Sequence, residues 1–266
     1  MDVVIYPHFT AALGDLHLRM KAQSQPVHAA KWQSIDVSKR PEAEMRELIN
    51  VMFQVAVVDS LESLRLDIRP NLPWADDHFE EERSSGQPIN PGETWKRWPW
   101  GHSAEKFLDE NGKFAHTYAE RFWPKFAGNE EGRDQSGGIA TGVRFPYGDL
   151  ADVVDLLARE PLTRQAYVPI WFPEDTGVVH GERVPCTLGY HFMQRGGFLH
   201  VFYPIRSCDF VRHFRDDLYL ACRLLLWILM QLRNLESPTN WDLIKPGMLT
   251  FWAGSMHCFI NDWRKL

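Results

Sequence analysis

The chain has 266 residues, a formal net charge of −6, 44% hydrophobic residues and four cysteines. That length suits one large domain or two small ones, because single cores stop growing near ~250–300 residues, and the apolar share is that of a globular protein rather than a disordered or fibrous one. The acidic excess argues against a surface that neutralises many phosphates, so a general nucleic-acid binder is excluded, while a small phosphorylated ligand held by a few arginines is not.

The opening MDVVIYPHFTAALGD has no basic segment leading into an unbroken apolar run, so no secretory leader is expected. Pro41 is expected to open a helix over residues 42–64, in which Leu48, Val51, Met52, Val55, Val58 and Leu61 follow helical spacing. The stretch DDHFEEERSSGQPINPGETWKRWPWGH, residues 76–102, has the composition of loops. It carries Trp95, Trp98 and Trp100, and either folds over the core or forms the wall of a ligand cleft.

Asp149 can cap a helix with the stripe Leu150, Val153, Val154 and Leu157, which Pro161 ends. The period then changes. AYVPIWF reads as a strand, and TLGYHFM–QRGG–FLHVFYP reads as a hairpin turning at Gly196 and Gly197. Asp216 and Asp217 open a long helix whose apolar run, residues 218–232, is interrupted by Arg223 and is too short for a membrane span. MLTFWA is a final strand. Helices early and sheet late give an α+β pattern, without the strict alternation of a doubly wound fold.

Cys186, Cys208, Cys222 and Cys258 form no CxxC and no close Cys/His pair. No metal site is expected, and scattered thiols fit a reducing cytoplasm, with no membrane partner. Cys186 follows Pro185 at the entry to the hairpin, and the next strand ends in Arg206, Ser207 and Asp209 and folds back beside it. An arginine near a thiol favours thiolate, and an Arg–Ser pair suits an anion. Taken alone, a cysteine such as Cys186 is more often a buried packing residue than a catalytic one, and Asp217 reads as a helix-start acid.

PCT at 185–187, RSCD at 206–209, FRDD at 214–217 and GSMH at 254–257 resemble the signature blocks of the thymidylate synthase superfamily. The nearer resemblance is to its deoxycytidylate hydroxymethylase branch. Cys186 and Arg206 lie twenty residues apart, as the corresponding pair does in that family. PLTRQAYVPIW, DENGKFAHTY and PGETWKRW resemble further family segments, so the likeness runs from about residue 75 onward. It implies an α+β, thymidylate synthase-like catalytic domain over residues 1–266, a mixed sheet with a long buried helix, and a sheet-mediated homodimer with shared active sites.

Carried over residue by residue, the resemblance makes Cys186 the nucleophile. Arg206 and Ser207 grip the nucleotide phosphate, with Arg164 reaching in from a second subunit. Asp209 binds the pterin of folate, His257 the sugar hydroxyl, and Tyr118 joins the hydrogen-bond network of the cleft. Asp217 stands where thymidylate synthases carry asparagine, and Thr187 where they carry histidine; both point to cytosine rather than uracil. Gln165 and Phe259 depart from the family's arginine and tyrosine, which alters the cross-subunit phosphate grip and leaves ribose and deoxyribose both open. Ala104 replaces a cleft tryptophan and only nine residues follow His257, so an open cleft that admits water is expected. Glu82, Glu81 and Asp76 compete as the base that activates water, and helical spacing places Glu82 on one face with His78 and Phe79.

The implied activity is hydroxymethylation of cytosine C5 in CMP or dCMP, with 5,10-methylenetetrahydrofolate as co-substrate and no metal. The alternatives are a methylase acting on dUMP or dCMP and a non-catalytic nucleotide-binding homologue.

Overall fold

The structure, a computed structural model, describes residues 3–32, 35–125, 127, 148–176 and 183–266. The chain opens with β1 (Val4–Tyr6), α1 (Phe9–Gln23), β2 (Gln25–Val27) and the two-residue strands β3 (Lys31–Trp32) and β4 (Ile35–Asp36). The long strand β5 (Met45–Ala56) follows, then the helices α2 (Leu61–Ile68), α3 (Trp74–Phe79), α4 (Tyr118–Phe122) and α5 (Leu150–Arg159). The last part holds β6 (Tyr167–Pro169), β7 (Gly189–Arg195), β8 (Phe198–Asp209), α6 (Phe214–Arg233) and β9 (Lys245–Phe259).

One mixed sheet orders its strands β1-β5-β9-β8-β7-β6, with β2 beside β5. β8 and β9 run parallel, and α6 is the crossover between them. Twelve of its side chains are buried, and it packs on α2, α3, α5, β8 and β9, so the long apolar run is a buried helix, as its length required. Asp152 accepts from the N–H of Gly148 (2.6 Å) and of Asp149 (3.2 Å) at the start of α5. The expected hairpin is β7–β8, with Gly196 and Gly197 at φ 58° and 82°, the left-handed pair that a two-residue turn needs.

Two expectations are corrected. Residues 42–64 are not one helix but β5 followed by α2, and the early half of the chain therefore supplies a central strand of the sheet. The misleading signal arises at Asn50, which sits at φ 54°. Val51, Phe53 and Val55 face the core in strand alternation, but the pleat changes phase at Asn50, so Leu48 is also buried and the 48–51 spacing imitates a helical turn. The same change occurs at Gly254 in β9 and around Arg206 in β8. None of these three residues is itself a paired partner in a ladder whose neighbours on both sides are. A Cβ on Gly254 would lie 3.0 Å from the Arg206 carbonyl oxygen, a tight contact that glycine avoids.

Residues 76–102 are also more ordered than their composition suggests. α3 runs on into a wider π-type turn over Glu80–Ser84, followed by short 3-10 turns.

Asn50 is exposed, so its conformation rather than its contacts decides what can replace it. Asn50→Val is expected to lose about 1–2 kcal/mol by forcing a β-branched residue into left-handed backbone, whereas Asn50→Gly stays within about 0.5 kcal/mol of the parent. Urea unfolding of the two variants measures the difference.

Candidate active site

α3 and its π turn, the tryptophan segment, the entry to β7 and the first turn of α6 surround an open cleft. Glu82, Tyr118, Cys186 and Asp217 all line it. The cleft-wall reading of residues 76–102 is therefore correct for Trp95 and Trp98, which line it, while Trp100 lies against Trp98 with centroids 5.4 Å apart.

Cys186 is held through its backbone. The N–H groups of Cys186 and Thr187 both donate to the Tyr118 hydroxyl, at 3.2 and 3.4 Å. The Cys186 carbonyl accepts from the Arg206 N–H at 2.8 Å. The Arg206 guanidinium wraps the same segment, donating to the carbonyls of Pro185 (2.8 Å) and Val184 (3.2 Å). Burial pushes the thiol up, and Arg206 and Arg183 pull it back only in part. Since Tyr118 already accepts two bonds, its own proton is available to the cleft.

Of the carboxylates that line the cleft, Asp217 and Glu82 are driven in opposite directions. Asp217, on the first turn of α6, is pushed up to about 7 by burial and by Asp216, against the pull of Arg83. The Cys208 thiol donates to it at 3.7 Å. Burial also raises Glu82, but His78 and Arg83 outweigh it and hold the carboxyl below its usual range. Glu82 Oε2 lies 3.0 Å from His78 Nε2 and 3.1 Å from Arg83 Nη1. Of the competing acids, Asp76 is occupied by Arg65, Arg223 and Tyr219. Glu81 is occupied by the backbone of Glu93 and Thr94.

The remaining predicted residues are not in the cleft lining. Ser207 Oγ and His257 Nδ1 are 3.5 Å apart on adjoining strands, next to Arg206. Burial lowers His257 to about 4, so the ring is neutral at pH 7. Asp209 is 5% exposed, and its carboxylate accepts from the N–H groups of Val211 and Arg212, both at 3.0 Å. It therefore holds the turn before α6 rather than facing the cleft. Arg164 is exposed and contacts its own chain through its carbonyl, which accepts from His191 Nε2 at 3.0 Å.

Several cleft residues went unnoticed in the sequence. Arg83 is 3% exposed, lies 5.1 Å over the Phe122 ring, and leaves its Nε without a partner among the described residues. A buried arginine has no sequence signature. His213, whose ring burial lowers to about 3, and Asp216, which accepts from Asn71, frame the base of the site. His78 was detectable only as the i, i+4 neighbour of Glu82. Among the described residues there is no group of His, Cys, Asp or Glu able to hold a metal, and no helix long and apolar enough to cross a membrane.

No protein-family model matches the sequence. Two proteins described as "Putative thymidylate synthase", from Methanosarcina acetivorans and Methanosarcina barkeri, are each 26% identical over 181 residues, covering 61% of this chain and 77% of the relative. Among solved structures, thermostable thymidylate synthase A from Bacillus subtilis superposes with a TM-score of 0.61 over 97% of this chain and 83% of its own, at 13% identity. The fold is that of thymidylate synthase.

The raised Asp217 carboxyl has a consequence for stability. Between its unfolded value near 4 and its folded value of about 7, the native state holds a proton that the unfolded state has released, so stability falls as pH rises through that window. Asp217→Asn is expected to remove the effect. Its Tm should exceed the parent's at pH 8, and the gap should close toward pH 4, as scanning calorimetry across that range will show.

Proposed function

We propose that this chain is a folate-dependent one-carbon transferase that hydroxymethylates cytosine C5 in CMP or dCMP. The observation that carries the reading is the convergence of Cys186, Asp217 and Glu82 on one cleft of this fold, the two carboxyls driven apart in acidity. Pairs of acids separated in this way commonly divide acid and base work between them.

Cytosine C5 is a poor nucleophile while the ring is aromatic. Addition of the Cys186 sulfur to C6 makes C5 an enamine carbon, and Arg206 and Arg183 favour the thiolate that this addition needs. A protonated Asp217 offers one acceptor and one donor, complementary to the N4–H and N3 of cytosine. Its value of about 7 keeps that proton available near neutrality. Arg206 and Ser207, with Arg164 from a second copy, would hold the phosphate, and His257 would hold the sugar. The second copy would cover the sheet face on which Met52, Met193, Phe202 and Trp252 are left partly exposed.

When bound, 5,10-methylenetetrahydrofolate supplies the one-carbon unit. Trp95 and Trp98 suit such a flat heterocycle, because both line the cleft, and Trp95 carries a buried indole N–H with no partner among the described residues. Asp209 would support that site by holding its turn. Glu82 would take a proton from the water that completes hydroxymethylation, and Ala104, also in the lining, leaves room for water. Methylation of dUMP is the second reading, favoured by the description of the two Methanosarcina relatives.

Incubation with CMP, dCMP, UMP and dUMP plus methylenetetrahydrofolate is expected to add one CH2O unit to a cytosine nucleotide. Gain of CH2 by dUMP, with dihydrofolate formed, would establish the methylase instead. Cys186→Ser is expected to lose more than about 100-fold in kcat while nucleotide still binds, since base and phosphate contacts do not use the sulfur.

Asp217→Asn is expected to move the ratio of kcat/KM for cytosine over uracil nucleotides toward uracil by about 5- to 150-fold, the equivalent of one mispaired polar edge. An asparagine that lowers both rates equally would leave Asp217 as a helix-start acid only.

A further inference from the structure

The hydrogen bonds around His78 fix where its protons are. The Glu81 carboxylate accepts from the N–H of Glu93 (2.7 Å), from the N–H of Thr94 (3.0 Å) and from the Thr94 hydroxyl. Gly92 makes room for it, since a Cβ there would lie 2.4 Å from Glu81 Oε1. The single hydroxyl hydrogen of Thr94 is thus committed to Glu81, and the Thr94 oxygen is left to accept from His78 Nδ1, 2.8 Å away. Nδ1 therefore carries a hydrogen.

On the other side of the ring, His78 Nε2 and Glu82 Oε2 are 3.0 Å apart. With Nδ1 protonated, a neutral ring would set a lone pair against a carboxylate, so this contact needs a second proton. Arg83 donates to the same Oε2 and favours its negative charge, which moves the proton toward Nε2. The ring stacks on Trp74, centroids 4.5 Å apart at 20°, a surface that suits a cation. The charged groups around His78 are Glu81, Glu82 and Arg83 on its own helical run and Asp216 on α6.

We propose that His78 is a positioning residue. Its Nε2–H, fixed by the Glu81–Thr94 relay, clamps Glu82 Oε2 and leaves Oε1 as the atom that takes a proton from water. The chemistry rests on the hydroxymethylase reading; the protonation of the ring does not. In the step assigned to Oε1, one O–H bond of water breaks and its oxygen bonds the exocyclic carbon on C5. The electron pair released passes through the ring and leaves with the Cys186 sulfur as the S–C6 bond breaks, and the water proton rests on Glu82 Oε1. His78 keeps its own proton throughout.

Two measurements test this on the full chain. The 15N spectrum of histidine-labelled protein without ligands is expected to show hydrogen on both ring nitrogens of His78 at pH 6–7, with the Nε2 proton lost in Glu82→Gln and the Nδ1 proton released in Thr94→Val. In turnover, His78→Leu is expected to lower kcat by about 10- to 100-fold with nucleotide KM changed less than about 3-fold. His78→Gln, whose amide can still donate to Oε2, is expected to recover most of that loss.

A bare Nε2 in the parent spectrum, or a His78→Leu enzyme as fast as the parent, would overturn the assignment even if hydroxymethylation is established. The expected spectrum in a protein that turns over no pyrimidine nucleotide would uphold the clamp and overturn the functional reading instead.

Discussion

Three neighbouring strands change the face they bury along a single line, at Asn50, Gly254 and Arg206, and the site is built around that line. A strand with unbroken alternation would send Arg206 and Cys208 to the same face. The change of phase instead buries Cys208 toward Asp217 and leaves Arg206 and Ser207 partly exposed together. The backbones approach closely there, where β9 carries glycine, and one strand adopts left-handed backbone, where β5 carries asparagine. Arg206 is then free to turn its guanidinium onto the carbonyls of Val184 and Pro185. The segment holding Cys186 is thereby fixed to the sheet on one side and to Tyr118 on the other.

Burial without charge balance would make this cleft inert. Cys186, Tyr118 and Asp217 are all shifted toward their neutral forms by desolvation. Glu82 alone among the four is held toward its charged form, because His78 and Arg83 converge on one of its oxygens. Neutral groups that can donate thus sit opposite one anion that can accept, a separation of acid from base within one cleft. Asp216 shows the same economy: Asn71 satisfies its carboxylate, and its field helps to raise Asp217 beside it.

The sequence by itself determined the elements whose signals are local. The cap and apolar stripe of α5, the double glycine of the β7–β8 hairpin and the long apolar run of α6 each need only a few neighbouring residues, and each lies where the pattern put it. It also pointed to residues that share one cleft: Cys186 at the hairpin entry, Asp217 at a helix start, and Glu82 one helical turn from His78 all line it. Tertiary structure decided what depends on strands far apart in the chain. β5 looked helical because a phase change set by pairing with β9 can imitate a helical turn, and nothing within residues 42–64 reveals the partner strand. Asp209 turned into the hydrogen bonds of its own turn, and Arg83 became a buried cation beneath the cleft, because burial and electrostatic balance are properties of the packed molecule and not of any short stretch of it.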